Sequence, residues 1–335
     1  MKAVIQNAYG GPEVYAIGEM PLPQPRAGEV RVRVHAASLH PDVWHVMVGY
    51  PYVLRVMGSG LMRPRQPIPG TDLAGIVDAV GPSVTRLQVG DRVFGEAAIG
   101  HQWKNAATFA EYACVRESAL TTIPAEASFE EAAALPTAGF IALQVVRGEG
   151  RVSRGQQVLV NGAGGGVGSL AVQMASALGA EVTAVDDVRK HGLLREFGAS
   201  QCIDYREEDY THGNPLYDVI IDVPCNHPFE RNRRVLRSDG VYVMVGHDAF
   251  GASSGRWFGS VPRAIGLLVR SLWNHQLPGL RGALPAPDRL ETLRTFLELG
   301  QVRPRIGRTF ALDDVRQAMT TMIKGETVGR IVLTV

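Results

Sequence analysis

Residues 158–187, VLVNGAGGGVGSLAVQMASALGAEVTAVDD, leave little choice of architecture. Val158 to Val160 is a short apolar run with β-branched residues. It meets Asn161-Gly162-Ala163-Gly164-Gly165-Gly166, where neither helix nor strand continues comfortably. From Val167 onward Ala171, Met174 and Leu178 recur at the spacing of one helix face, with Leu170 and Ala177 beside them, until Gly179 ends the helix. Glu181 to Val185 is a second β-branched run, and Asp186 closes it, 18 residues after Gly168. A pyrophosphate must approach backbone closely, which side chains prevent, and a helix N-terminus offers it unpaired N–H groups and a positive dipole. Ala163, Gly165 and Gly168 form an A-x-G-x-x-G variant of that turn. A carboxylate at the tip of the second strand, here Asp186, can accept hydrogen bonds from ribose hydroxyls. The whole order points to dinucleotide binding; the alternative is a glycine-rich βαβ turn without ligand.

The 335 residues are enough for two domains, and 45% hydrophobic with 20% charged residues fits a globular chain. Thirty-four basic and 33 acidic residues nearly cancel, so the totals carry no footprint for nucleic acid or an anionic membrane, and neither is expected as a partner. Cys114, Cys202 and Cys225 are odd in number, widely spaced and free of any C-x-x-C pair, which argues against a disulfide framework or a cysteine-rich zinc site. No apolar run reaches the ~18 residues of a membrane span, and the N-terminus lacks the apolar core of a signal peptide. The expected compartment is the cytoplasm.

Short strands dominate the first part: Lys2 to Gln6, Val14 to Glu19, the alternating Glu29 to Ala36, Ala74 to Val80, Arg92 to Gly95 and Thr108 to Val115. Composition shifts near Ile123-Pro124, where helical spacing begins at Phe129 to Leu135 and Thr137 to Val146. Alternating strands and helices then continue through Val219 to Val223 and Val241 to Val245, which implies a parallel sheet covered on both faces. Pro262 to Trp273 reads as a helix packed against that sheet by Ile265, Leu268, Val269 and Leu272, in preference to a membrane-surface helix. Helices at Arg289 to Leu299 and Asp313 to Lys324 and a strand at Gly329 to Val335 end the chain. No internal repeat is present.

Nearly the whole chain resembles the medium-chain dehydrogenase/reductase superfamily, in its zinc-independent quinone oxidoreductase-like branch. The segments that carry the resemblance are MKAV, AASLHPDVW, PGTDLAGIVDAVG, GDRVFG, LPTAGFIAL, NGAGGGVG, YDVIIDV and GRIVLTV. It implies an α/β fold in which a doubly wound Rossmann domain, residues 125–274, is inserted in a mainly-β GroES-like catalytic domain. That domain comprises residues 1–124 and 275–335, with the active site in the cleft. It also implies a homodimer through edge strands of the nucleotide domains.

Zinc-dependent relatives carry a cysteine where this chain has His40 and a Gly-His-Glu triplet where it has Gly70-Thr71-Asp72. Threonine is a poor zinc ligand and the four-cysteine lobe is missing, so no zinc is expected. His40 with Asp72 and a second histidine is the one route left to it. Without a metal, the acceptor oxygen needs hydrogen-bond donors, and His40 and Tyr52 are the catalytic candidates. The branch usually has asparagine in place of His40, so its identity departs from the pattern. For both residues a polar side chain lining the cleft or capping a loop is the alternative. His45, Tyr50, Asp42 and Trp103 are weaker candidates. Tyr50 to Pro69 reads as a loop over the cleft, its Arg55, Arg63 and Arg65 facing either an acidic substrate tail or water.

The expected cofactor is NAD(P)H, with a leaning to NADH. A carboxylate at Asp186 repels a 2′-phosphate, while Arg189 and Lys190 can still accommodate one. Asn161, Gly162, Ala163, Gly165, Gly166, Val167 and Gly168 are assigned to the pyrophosphate turn. The resemblance adds Tyr205 beside the adenosine and Thr137, Val223 and Gly246 as further cofactor neighbours. The implied activity is hydride transfer to a small-molecule quinone, enone or carbonyl. Other readings are an alcohol dehydrogenase of the same superfamily, or a silent nicotinamide-binding protein acting through partner contacts.

Overall fold

The computed structural model describes residues 1–97, 104–213, 216–246, 256–259, 261–279, 286–325 and 327–335; Trp103 lies outside them. The chain forms two compact units, Met1–Thr137 with Leu290–Val335, and Ala138–Arg289. Up to the second unit the elements are β1 (Lys2–Gln6), β2 (Tyr15–Glu19), β3 (Glu29–Leu39), α1 (Pro41–Val48), β4 (Asp72–Val80), β5 (Arg92–Glu96), β6 (Tyr112–Arg116), β7 (Leu120–Thr122), α2 (Phe129–Ala133) and α3 (Pro136–Leu143). There follow β8 (Gln157–Asn161), α4 (Gly166–Ala177), β9 (Glu181–Val185), α5 (His191–Glu196), β10 (Ala199–Ile203), β11 (Tyr217–Asp222), α6 (Phe229–Asn232), β12 (Leu236–Met244) and α7 (Val261–Arg270). The chain closes with α8 (Ala286–Glu298), β13 (Ile306–Ala311), α9 (Val315–Lys324) and β14 (Arg330–Thr334).

In the first unit the larger sheet runs β13-β14-β3-β4-β5-β7, with β6 also paired to β3. Val30, Val32 and Val34 of β3 point into the core and alternate with arginines, as a half-buried strand requires. Beyond Ala36 both faces of β3 are buried, and β14 lies antiparallel along the edge of that end, from Ile331 opposite Leu39 to Thr334 opposite Ala36. The C-terminal strand thus completes a sheet begun near the N-terminus. The second unit holds a five-stranded parallel sheet in the order β10-β9-β8-β11-β12. Its strand order reverses between β8 and β11, whose last residues Asn161 and Asp222 are register partners. Among the described residues no helix is long and apolar enough to cross a membrane.

The expected boundaries, 124/125 from composition and 274/275 from the resemblance, fall earlier in the chain than those the contacts draw. The alanine-rich α2 packs on β3, β4 and β5, and so belongs to the first unit despite its helical character. Residues past 274 stay with the second unit because Tyr242 N donates to Gln276 O at 2.8 Å and Gln276 Nε2 donates to Arg237 O. Three elements have no counterpart in the sequence reading, the shortest of them the three-residue strand β7. Helix α1 buries Val43, Trp44, Val46, Met47 and Val48 on all sides, so it shows no polar face. Edge strand β13 is mostly exposed and lacks an apolar alternation.

The expectation that residues 262–273 pack on the sheet through Ile265, Leu268, Val269 and Leu272 is overturned. All four are exposed, and from α7 it is Leu267, on the opposite side of the helix, that packs against the core around Leu159, Ile220 and Tyr242. A 3.6-residue period identifies an apolar face but not what covers it.

Candidate active site

In the second unit the site is built where β8 stops. Gly162 takes φ +76°, and its N–H and that of Ala163 both bond to Val185 O, at 3.0 and 3.2 Å, so the turn is fastened to the tip of β9. Gly165 N closes back on Gly162 O at 3.1 Å and Gly165 caps α4. A Cβ on Gly168 would stand 2.1 Å from Gly162 O and 2.8 Å from Ala163 Cα, so only glycine lets the helix pack this close to the turn. Gly165, by contrast, is exposed, and a Cβ there would meet only Gly162 O at 3.4 Å. The first N–H groups of α4, from Gly166, Val167 and Gly168, therefore sit at an open helix end that bears no side chain of Gly165. This cradle fits a dinucleotide pyrophosphate.

Around it, the carboxyl ends of the strands carry the other predicted cofactor residues. Asp186 is buried; one of its oxygens accepts from Gly164 N at 2.7 Å, and the other accepts from Asp187 N at 2.8 Å and pairs with Lys190 Nζ at 2.8 Å. Asp187, which sequence reasoning passed over, anchors the exposed cations: Arg189 chelates both its oxygens, and Arg206 reaches it at 2.6 Å. Those guanidinium bonds hold the Asp187 carboxyl well below the usual carboxylate range. Tyr205 is half exposed with the Arg206 guanidinium 5.7 Å from its ring. The strand tip so presents three cations, Lys190, Arg189 and Arg206, over two carboxylates.

Asn161 does not face the turn. Its amide donates to Asp222 at 2.8 Å, Asn226 at 2.9 Å and Tyr210 at 3.3 Å, while Tyr242 Oη donates to the second Asp222 oxygen at 2.8 Å. Burial raises the Asp222 carboxyl above its ordinary pKa against these bonds. Asn161 is thus a positioning residue that locks β8 to β11 at the point where strand order reverses. Val223 follows, its N–H on Asn161 O at 3.1 Å, and Gly246 ends β12's extension with φ +83°.

The first unit holds a separate polar cluster in its core. His40, at the N-terminus of α1, is buried, with Nε2 2.7 Å from Thr71 Oγ1 and Nδ1 3.5 Å from an Asp42 oxygen, too poorly aligned there for a hydrogen bond. Thr71 Oγ1 donates to Asp72 at 3.3 Å. Asp72 is fully buried and also accepts from Ser38 Oγ at 3.1 Å, Thr137 N at 3.1 Å and Thr137 Oγ1 at 2.6 Å. Arg330 of β14 donates to Ser38 Oγ at 3.1 Å. Burial lowers the Arg330 pKa, and the carboxylates of Asp72 and Asp42 oppose that. His40 and Thr137 are thereby joined through Thr71 and Asp72.

Tyr52 is not part of this cluster. The Arg55 guanidinium lies between its ring and that of Tyr9, 4.8 and 4.2 Å from the centroids, and Arg55 Nε donates to Gly49 O at 2.6 Å. Arg55 is therefore a strut within its loop. His45 likewise turns inward, its Nδ1 3.0 Å from Tyr50 O. Sequence reasoning weighed Asp72 only as a metal position and missed Ser38 and Arg330. The signal was present: an aspartate opening the apolar strand DLAGIV and an arginine opening RIVLT are opposite charges inside β-runs.

A zinc ion does not fit this donor set. His40 spends Nε2 on Thr71, and the Asp72 oxygens are taken by four donors. Among the described residues no three of His, Cys, Asp and Glu are placed to share a metal ion.

Comparison with known proteins matches residues 26–125 to the alcohol dehydrogenase GroES-like domain family and residues 197–333 to the family described as zinc-binding dehydrogenase. The chain is 27% identical over 344 residues to the quinone oxidoreductase of Pongo abelii, covering 99% of this chain and 97% of that protein. It is 29% identical over 342 residues to the 2-methylene-furan-3-one reductase of Solanum lycopersicum, covering 99% and 79%. A solved NAD-dependent alcohol dehydrogenase superposes with a TM-score of 0.82 at 29% identity, each chain covered in full. Motifs, fold and full-length relatives agree: the chain is an oxidoreductase that belongs to the medium-chain dehydrogenase/reductase superfamily, in its quinone oxidoreductase-like branch.

Proposed function

We propose that the protein reduces a quinone, an enone or a small carbonyl with NADH, without a metal ion. The observation that carries this reading is the open helix end at Gly165–Gly168, at the reversal point of a parallel sheet, in a chain whose full-length relatives include a quinone oxidoreductase and a furanone reductase. The nicotinamide, when bound, supplies the hydride. Gly162 to Gly168 hold the pyrophosphate through backbone N–H groups, and the strand tip at Asp186 takes the adenosine ribose. Val223 and Gly246 border the nicotinamide half.

His40 is the candidate donor to the acceptor oxygen. Thr71 Oγ1 donates to Asp72, so a neutral His40 donates its Nε2 proton to Thr71 Oγ1, and it reaches the acceptor by exchanging that bond for one to the substrate oxygen. Thr137, held on Asp72, orients the same relay.

One substitution tests the His40 role. His40→Ala should lower turnover on an enone or quinone panel by about 10²-fold, with NADH affinity measured by fluorescence nearly unchanged. Full turnover in that variant would remove the acceptor assignment. For the cofactor, Asp186→Ser frees Lys190 and withdraws a carboxylate from the strand tip. The NADPH/NADH preference should then rise by roughly 10–100-fold, the range of one hydrogen bond to a charged group. Unchanged selectivity in the titration would sink the argument for NADH.

A further inference from the structure

We infer that the outer edge of β6 accepts an acidic peptide as an added strand. β6 is paired on one side, by β3, from Glu29 opposite Arg116 to Arg33 opposite Tyr112. The bonds that flank this ladder fix its phase: Val34 N donates to Glu111 O at 2.9 Å, and Glu117 N donates to Gly28 O at 3.0 Å. Antiparallel bonding serves alternate residues, so Ala113 and Val115 turn their backbone groups to β3. Tyr112, Cys114 and Arg116 turn theirs the other way. Among the described residues no backbone or side-chain group bonds to them there. The same residues line a cavity of about 890 Å³, shared with Pro21 and Pro23 of the extended segment after β2. Arg31 Nη1 holds that segment by Pro23 O at 3.2 Å, and its prolines have no N–H with which to complete the ladder.

The chemistry of the cavity selects the occupant. An edge that offers N–H and C=O groups in alternation is met by a partner that brings both at strand spacing, which an extended peptide backbone does and a small anion does not. The charge is one-sided. Arg26, Lys104 and Arg116 line the cavity, and among the described residues the charged end of none of them has a partner. The one carboxylate among the described lining residues, Glu29, already accepts from Arg26 N at 3.0 Å. Carboxylates on the added strand supply the missing charge. A second copy of the chain would bring the same free cations to the same edge and meet repulsion.

The test is fluorescence anisotropy of labelled peptides with the full chain. The probe alternates glutamate and valine over the length of β6 and should bind; its counterpart with lysine for glutamate should not. Residues whose backbone faces β6 alternate with those that face away, so N-methylation of all the glutamates or of all the valines blocks the ladder in one peptide and spares it in the other. One methylated peptide should bind roughly 10-fold more weakly than the parent, and the other equally well. Arg26→Gln with Arg116→Gln should weaken the parent peptide by roughly 5-fold. Both side chains are exposed and neither belongs to the residues assigned to the reaction, so melting temperature and turnover stay as they were. No binding, equal binding of the lysine peptide, or parent-like binding of both methylated forms overturns the inference. So does inorganic sulfate that displaces the probe as tightly as unlabelled peptide, which marks a plain anion site, or a solution dimer that the arginine substitutions disperse without any peptide binding.

Discussion

Asp72→Ala should unfold the first unit more readily than any surface change and abolish turnover with it. The carboxylate is fully buried and takes four hydrogen bonds, from Ser38, Thr71 and twice from Thr137. Alanine leaves those donors unpaired and removes the negative charge that offsets the buried Arg330. Breaking a buried pair by deleting one partner costs about 3–5 kcal/mol, because the survivor stays charged and desolvated. For a chain of this size that lowers the melting temperature by about 4–7 °C. The comparison that isolates the charge is Asp72→Ala with Arg330→Met, which removes both ions and should recover part of the loss. If Asp72→Ala melts with the parent protein, the network is ornamental and Thr137 and His40 are not held by it.

The architecture was legible because its governing signals are local. The turn from Asn161 to Gly168 carries strand, glycine and helix signals within a few residues, and Gly168 has a steric requirement that no other residue meets. The β-strands of the first unit announce themselves by alternation in Val30, Val32 and Val34. What escaped depends on distant partners. Ser38, Asp72, Thr137 and Arg330 are spread over some 290 residues of chain and meet only because β14 returns to lie against β3. Nothing near Asp72 in sequence says that its carboxylate will face Thr137.

Asp186 and Asp187 make the same point at shorter range. Both stand at the tip of β9, yet one turns to Gly164 and Lys190 and the other to Arg189 and Arg206. Residue type marks the strand tip as a ribose position without saying which carboxylate is already spoken for. Helix α7 shows the limit most plainly, since its period is strong and its apolar face points away from the core.

Gly165→Ala and Gly168→Ala should both weaken NADH binding, and for different reasons that a paired measurement separates. At Gly168 the new Cβ would stand 2.1 Å from Gly162 O and 2.8 Å from Ala163 Cα, both backbone, so α4 must move off the turn. Affinity and melting temperature should fall together. At Gly165 the Cβ meets only Gly162 O at 3.4 Å, an ordinary contact, in an exposed position with extended backbone at φ −81°. The fold should tolerate it. The methyl would nevertheless occupy the approach to the first N–H groups of α4, where one or two hydrogen bonds to a charged phosphate are lost. At about 1.5–3 kcal/mol each, that is a roughly 10–100-fold rise in the NADH dissociation constant or more. Titration by fluorescence with a melting curve on each variant reads both quantities. An unchanged dissociation constant for Gly165→Ala would mean that the open end of α4 is not where the pyrophosphate sits, whatever Gly168→Ala does, because only the Gly165 change leaves the protein's own packing intact.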